Sequence, residues 1–192
     1  MATEYELKFK ADYVNLMAIS AHFPQESTEL QMHTVYYDTP TLALSGRRYT
    51  LRKRMENDRS VCTLKTPAGD ARNEWETENV FIENAIADLI TLGAPAELTE
   101  FAKEGLYPIC GAKFTRYAKA IRLENAEVEL ALDHGYLFAG DRKETLCEVE
   151  IELKSGEKSA CQQFAERLAA EFKLEPEPRS KFKRALTLYK GE

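Results

Sequence analysis

Several stretches of this chain alternate charged and apolar residues with a period of two, and their charged positions fall into rows. From 4 to 10, Glu4, Glu6, Lys8 and Lys10 take one face of a strand and Tyr5, Leu7 and Phe9 the other, because successive strand side chains point to opposite faces. Arg52 and Arg54, joined by Lys65 on the next strand, form a basic row. Glu74, Glu76 and Glu78 form an acidic row, and so do Glu148, Glu150 and Glu152, opposed by Val149, Ile151 and Leu153. Solvated sheet faces mix polar types, and like charges on neighbouring positions repel. Rows of one sign on several strands are costly unless an opposite charge, a metal or a ligand faces them. Any one strand reads most simply as half-exposed; the set reads as the lining of an interior.

Closing the sheet satisfies that requirement. The expected fold is α+β: a closed antiparallel eight-stranded β-barrel with a charged interior, its apolar exterior covered by amphipathic helices. Helical spacing falls at 12–23, with Asp12 as N-cap, at 82–92, ending at Gly93, at 96–104 and at 158–172. Strand patterns fall at 33–38, 49–55, 60–65, 72–80, 113–123, 127–132 and 146–154, with 133–136 as a turn. The tail 180–189 carries Lys181, Lys183 and Arg184 and receives no element. With no repeat, low-complexity tract or linker, residues 1–192 read as one domain.

A net charge of −6 argues against a nucleic-acid polymer as partner, although a local basic cluster still suits a small anion. Cys62, Cys110, Cys147 and Cys161 lie far apart and lack zinc spacing, so they read as reduced thiols. Charges at Glu4, Glu6 and Lys8 break any signal-peptide pattern, and no apolar run reaches the roughly 20 residues of a membrane span. The expectation is a soluble cytoplasmic protein with no membrane partner, as a monomer or homodimer.

A basic wall facing an acidic wall suits a polyanion carrying divalent cations. Carboxylates hold Mg2+ or Mn2+ through oxygen, and Arg and Lys grip phosphate. In chain order, Glu4-x-Glu6-x-Lys8, Arg52-x-Arg54, Lys65, Glu74-x-Glu76, Arg116, Leu132-Asp133-x-Gly135, Glu148-x-Glu150-x-Glu152 and Ser180-Lys181 resemble the signature of the CYTH, or triphosphate tunnel metalloenzyme, superfamily. The resemblance spans essentially the whole chain and looks closest to the bacterial inorganic triphosphatase branch, without the helical CHAD domain that branch often carries.

The resemblance implies a closed eight-stranded tunnel in which Lys8, Arg52, Arg54, Lys65, Arg116 and Lys181 hold triphosphate. It implies that Glu4, Glu6, Glu76, Asp133, Glu148 and Glu150 bind one or two Mg2+ or Mn2+ ions. Glu4, Glu6, Lys8, Arg52, Arg54 and Glu150 form the expected catalytic set. Glu74, Glu129 and Glu152 share these faces, either as ligands or behind them. The implied activity is hydrolysis of inorganic triphosphate. The alternatives are hydrolysis of thiamine triphosphate or a nucleoside triphosphate, adenylate cyclisation, or non-catalytic binding of polyphosphate or nucleotide. His33 and His134 read as loop or packing residues, Trp75 as a sheet-to-helix contact, and Lys10 as lying past the tunnel's rim.

Overall fold

The computed structural model describes residues 5–69 and 71–192. The chain runs β1 (Glu6–Lys10), α1 (Tyr13–His22), β2 (Thr28–Asp38), α2 (Ala43–Gly46), β3 (Thr50–Glu56), β4 (Arg59–Ala68) and β5 (Ala71–Glu78). It continues through α3 (Ile82–Thr91), α4 (Leu98–Glu104), β6 (Tyr107–Arg122), β7 (Ala126–Ala139), β8 (Arg142–Gly156), α5 (Lys158–Phe172), β9 (Glu175–Pro176) and α6 (Lys181–Lys190). No described helix is long and apolar enough to cross a membrane.

All nine strands join one antiparallel sheet in the order β5-β4-β3-β2-β6-β7-β8-β1-β9. This corrects the expected closed eight-stranded barrel: the sheet is open, because among the described residues β5 and β9 form its two ends and do not pair with each other. An eight-stranded barrel has room inside for side chains or one small ligand. Here a ten-residue helix, α6, lies across the charged face of β6, β7 and β8. A helix with its side chains is about 10 Å across, more than such an interior admits. β1 is only five residues long, and β9 pairs with its last two, Phe9 and Lys10, on the side away from β8.

The face opposite the charges is covered in two places. Phe9, Leu130, Leu132, Val149 and Ile151 pack under Leu16 and Ile19 of α1 and Phe164 and Leu168 of α5. Leu51, Cys62, Leu64 and Trp75 pack under Ile86 and Leu89 of α3 and Leu98 and Phe101 of α4. A third cluster lies on the charged face, where Ala185, Phe182 and Leu186 of α6 meet Tyr36, Phe114, Leu137 and Leu146. The Asp12 cap of α1 is as expected: its carboxylate accepts from Asn15 N at 2.7 Å, and Asn15 Oδ1 accepts from Asp12 N at 3.2 Å. All four cysteines are free, and burial pushes the Cys62 and Cys110 thiols up to about 11 and about 12.

The middle strands run longer than their apolar patterns indicate, and 133–136 is not a turn. β7 passes straight through it, pairing with β6 and β8 on both sides. Gly135 is needed for close approach: a Cβ there would lie 2.2 Å from the Lys113 carbonyl oxygen and 2.5 Å from Phe114 Cα. Two buried carboxylates fasten the connections around the sheet. Asp38 accepts from Thr39 N, Leu44 N and Ser45 N at 2.8–2.9 Å and from Ser45 Oγ, pinning the 39–46 loop. Glu177 accepts two parallel bonds from Arg179, at 2.9 and 2.8 Å, while its own N–H donates to the Lys8 carbonyl.

Asp38→Ala strands several buried donors, so it should cost about 3 kcal/mol and lower Tm by roughly 6–12 °C. A shift below about 2 °C in a thermal melt would show that the loop is anchored elsewhere. Glu177 gives a pH-dependent counterpart. The Arg179 hydrogen bonds hold its carboxyl down at about 2, against an ordinary 4.5. A carboxyl depressed by folding contributes stability above 4.5 that is lost as pH falls toward 2. Urea unfolding of Glu177→Gln should therefore depend less on pH than wild type across that window; parallel profiles would contradict this account.

Candidate functional site

The charged face concentrates its acids where β7 and β8 run side by side. Asp133 lies directly opposite Glu148, and Glu150 lies opposite the small Ala131. All three carboxylates are buried, and each offers an oxygen within 4.8 Å of the others. Flanking strands bring opposite charge: Arg116 of β6 pairs with Asp133, while Lys10 and Lys8 of β1 pair with Glu148 and Glu150. Arg116 donates Nε to Asp133 at 2.8 Å and Nη2 to its other oxygen at 2.7 Å, and Nη2 also donates to Glu150.

The remaining cations come from α6, capped by Ser180, whose hydroxyl accepts from Lys183 N at 3.1 Å. Lys181, the first residue of the helix, aims its ammonium at all three acids: Glu148 at 2.5 Å, Glu150 at 2.6 Å and Asp133 at 2.9 Å. One turn on, Arg184 donates to Glu148 and Glu144. Three buried carboxylates are thus matched by three cations. Burial opposes charge on Lys181, yet Asp133, Glu150 and Glu148 outweigh it and raise its pKa. Burial likewise opposes charge on Glu150, but Lys181 and Arg116 hold it below the usual carboxylate range. Glu6 shifts the other way: burial and then the charge of Glu150 raise its pKa, against Lys8, Lys181 and Arg116.

A second group of cations occupies β3 and β4, and among the described residues its two arginines are less completely matched. Arg54 Nε donates to Thr34 Oγ1 at 3.1 Å, and its Nη1 lies 3.5 Å from Glu56. Burial, with repulsion from Arg52 and Arg116, lowers Arg54 to about 10. Arg52 reaches Glu74 only at 3.8 Å, and its Nε is buried without a hydrogen-bond partner among the described residues. Lys65 lies 2.7 Å from Glu74. Burial raises the pKa of the Tyr36 phenol, against the charges of Arg52, Arg54 and Lys181.

The residues singled out from the sequence are therefore distributed unevenly. Lys8, Arg116, Lys181, Asp133, Glu148 and Glu150 come together, with Glu6 beside them 3.7 Å from Lys8. Arg52, Arg54 and Lys65 lie together on the neighbouring strands. Glu76 stands apart on β5, exposed, accepting from Thr63 Oγ1 at 3.3 Å. Glu4 falls outside the described residues. Glu129 and Glu152 share Lys154, at 3.7 and 2.9 Å. Lys10 is exposed, lies in register with Glu148 and lines an open groove of about 480 Å3 with Tyr13, His134, Arg179 and Arg184.

The sequence reading assigns no role to Arg184, Glu144, Thr34 or Glu177, all of which touch these charges. The signal for Arg184 was present. Ser180 followed by Phe182, Ala185, Leu186 and Leu188 has a helix start and helical spacing, which puts Arg184 one turn from Lys181. Thr34 carried no signal, since its hydroxyl gains meaning only from the register that places it opposite Arg54. Chemically, the acid trio is an all-oxygen, buried donor set suited to a hard divalent cation, and the ammonium at its centre shows that it holds positive charge.

The chain spans about half the length of the curated relative it matches: it is 28% identical over 166 residues to the inorganic triphosphatase of Haemophilus influenzae, covering 85% of this chain and 47% of that protein. Among solved structures, it superposes on an adenylyl cyclase candidate from Hippeastrum described as having a dominant triphosphatase activity. That match has TM-score 0.64 and 18% identity over 100% of this chain and 97% of the other. The protein PH1819 of Pyrococcus horikoshii gives TM-score 0.59 at 21% identity over 97% and 99% of the two chains. These likenesses show a shared fold. The CYTH domain pattern matches residues 2–186, nearly the whole chain, so this protein belongs to the CYTH family.

Proposed function

We propose that this protein is a metal-dependent hydrolase that splits inorganic triphosphate into diphosphate and phosphate. The observation that carries the reading is the pairing of two features on one sheet face. One is a compact buried carboxylate trio; the other is a cluster of arginines with incomplete compensation, including the orphaned Arg52 Nε and an Arg54 held at about 10. A bound polyanion relieves both conditions on the arginines. The Haemophilus relative, by its name, acts on inorganic triphosphate, and its resemblance over 85% of this chain supports the choice of substrate.

Asp133, Glu148 and Glu150 would hold Mg2+ or Mn2+, which supplies charge neutralisation on phosphoryl oxygens and activation of a water. Arg52, Arg54 and Lys65 bind the phosphate chain from β3 and β4, each charge-assisted bond being stronger than a neutral one. Lys8 and Arg116 flank the acids on adjacent strands, where they orient a phosphate and stabilise charge spreading onto its oxygens. Tyr36 and Phe182, beside Arg52 and Lys181, pack against each other with 4.8 Å between ring centres, so neither ring face between them is open to a base. The four free thiols suit a reducing, cytoplasmic setting.

Phosphate release from triphosphate should require Mg2+ or Mn2+ and stop on adding EDTA. Arg52→Ala should raise KM about 10–100-fold, the equivalent of one lost charge-assisted contact, with a smaller effect on kcat. Glu148→Gln should cut kcat at least 100-fold in protein whose circular dichroism is unchanged, in keeping with loss of electrostatic catalysis. A kcat/KM for ATP or thiamine triphosphate tenfold above that for triphosphate would overturn the substrate assignment. Binding without turnover under all metal conditions would favour a phosphate-sensing module instead.

A further inference from the structure

Lys181 stands out because its single ammonium lies within 2.5–2.9 Å of an oxygen on each of the three acids that make up the metal-competent cluster. A divalent ion bound by the same trio would need those oxygens at about 2.0–2.6 Å and would occupy the ammonium's own position. The two cannot share it. Arg116 is fixed by two bonds to Asp133 and Arg184 by bonds to Glu144 and Glu148, whereas Lys181 brings one point charge on a flexible stem, so it is the cation that a metal would displace. Adding a doubly charged ion while Lys181 also stayed would leave this buried space strongly positive.

The ammonium has somewhere else to go. It lies 5.2 Å from the Phe114 ring centre, and the next residue of the helix, Phe182, packs 4.8 Å from Tyr36, which is in register with Arg52. A lysine on a flexible four-carbon stem at the first position of α6 reaches toward that arginine side without moving the helix.

We propose that Lys181 is a tethered counter-cation that competes directly with the divalent metal, so that metal entry requires its ammonium to leave the carboxylates and move onto substrate phosphate. This rests on the metal-dependent reading above and adds a regulatory consequence. Metal alone binds weakly, triphosphate draws Lys181 away, and metal and anion favour each other's binding by the same factor. The protein thereby avoids holding a metal, and activating water, in the absence of substrate.

The test uses Mn2+ alone, with no phosphate compound present, and reads free Mn2+ by electron paramagnetic resonance alongside thermal melts. Lys181→Met should bind Mn2+ at least tenfold more tightly than wild type, and its Tm should rise more on adding Mn2+. Lys181→Gln, which keeps an amide donor for the acids, should show the same ordering and serves as the measure if the methionine variant folds poorly. In Lys181→Ala, methylammonium should weaken Mn2+ binding competitively, whereas wild type should be insensitive to it. Equal or weaker Mn2+ binding in the folded variants overturns the exchange while leaving a metal site in place. No Mn2+ binding by any of the proteins overturns the metal reading itself, and the exchange with it.

Discussion

The structure depends on neutralising three carboxylates that are almost wholly removed from water. An isolated buried carboxylate is costly, and removing one partner from a buried ion pair typically costs 3–5 kcal/mol. Asp133, Glu148 and Glu150 are matched by Arg116 from one neighbouring strand and by Lys181 and Arg184 from α6. That requirement fixes where α6 must lie. Its apolar residues then fill the rest of the same face, so the electrostatic and hydrophobic demands on this helix agree.

Placing a helix on the charged face also explains the architecture. A sheet that had to enclose only side chains and a small ligand would have reason to close, whereas one that must hold a helix spreads around it. Tyr36, in register with Arg52 of β3, packs against Phe182 of α6, so the helix that carries Lys181 stands beside the arginine strands as well as the acids of β8. The short β1, closed off by β9, supplies Glu6 and Lys8 at the margin of the acid cluster. Arg184, which donates to Glu148, also lines an open groove together with Lys10 and Glu144.

Much of this was legible because strand periodicity is strict. Alternation alone put Glu148 and Glu150 on one face with Glu6 and Lys8, and Arg52 with Arg54, and the ladders place them so. What stayed hidden depended on contacts distant in sequence. Closure of the barrel could not be judged, since single-sign rows call for compensation without saying whether a facing strand or a helix supplies it. Asp133 beside Gly135 has the composition of a turn, yet Gly135 is there because β6 passes too close for a Cβ. Glu76 shares the pattern of the other acids and stands apart, because pattern fixes the face of a residue and not its place along the sheet.

The ties between the two ends of the site carry a consequence for synthesis. Lys8 Nζ donates to the Arg179 carbonyl across 171 positions, and the Lys8 carbonyl accepts from Glu177 N. A ribosome making this chain delivers Lys8 well before Lys181, so the acids of β7 and β8 are complete before their compensating helix exists. Through that interval, growing chains must leave those carboxylates in water or protonated. The buried site, and any chemistry it performs, therefore appears only after α6 has been made. Non-local contacts of this kind are slow to form because the loop they close is long.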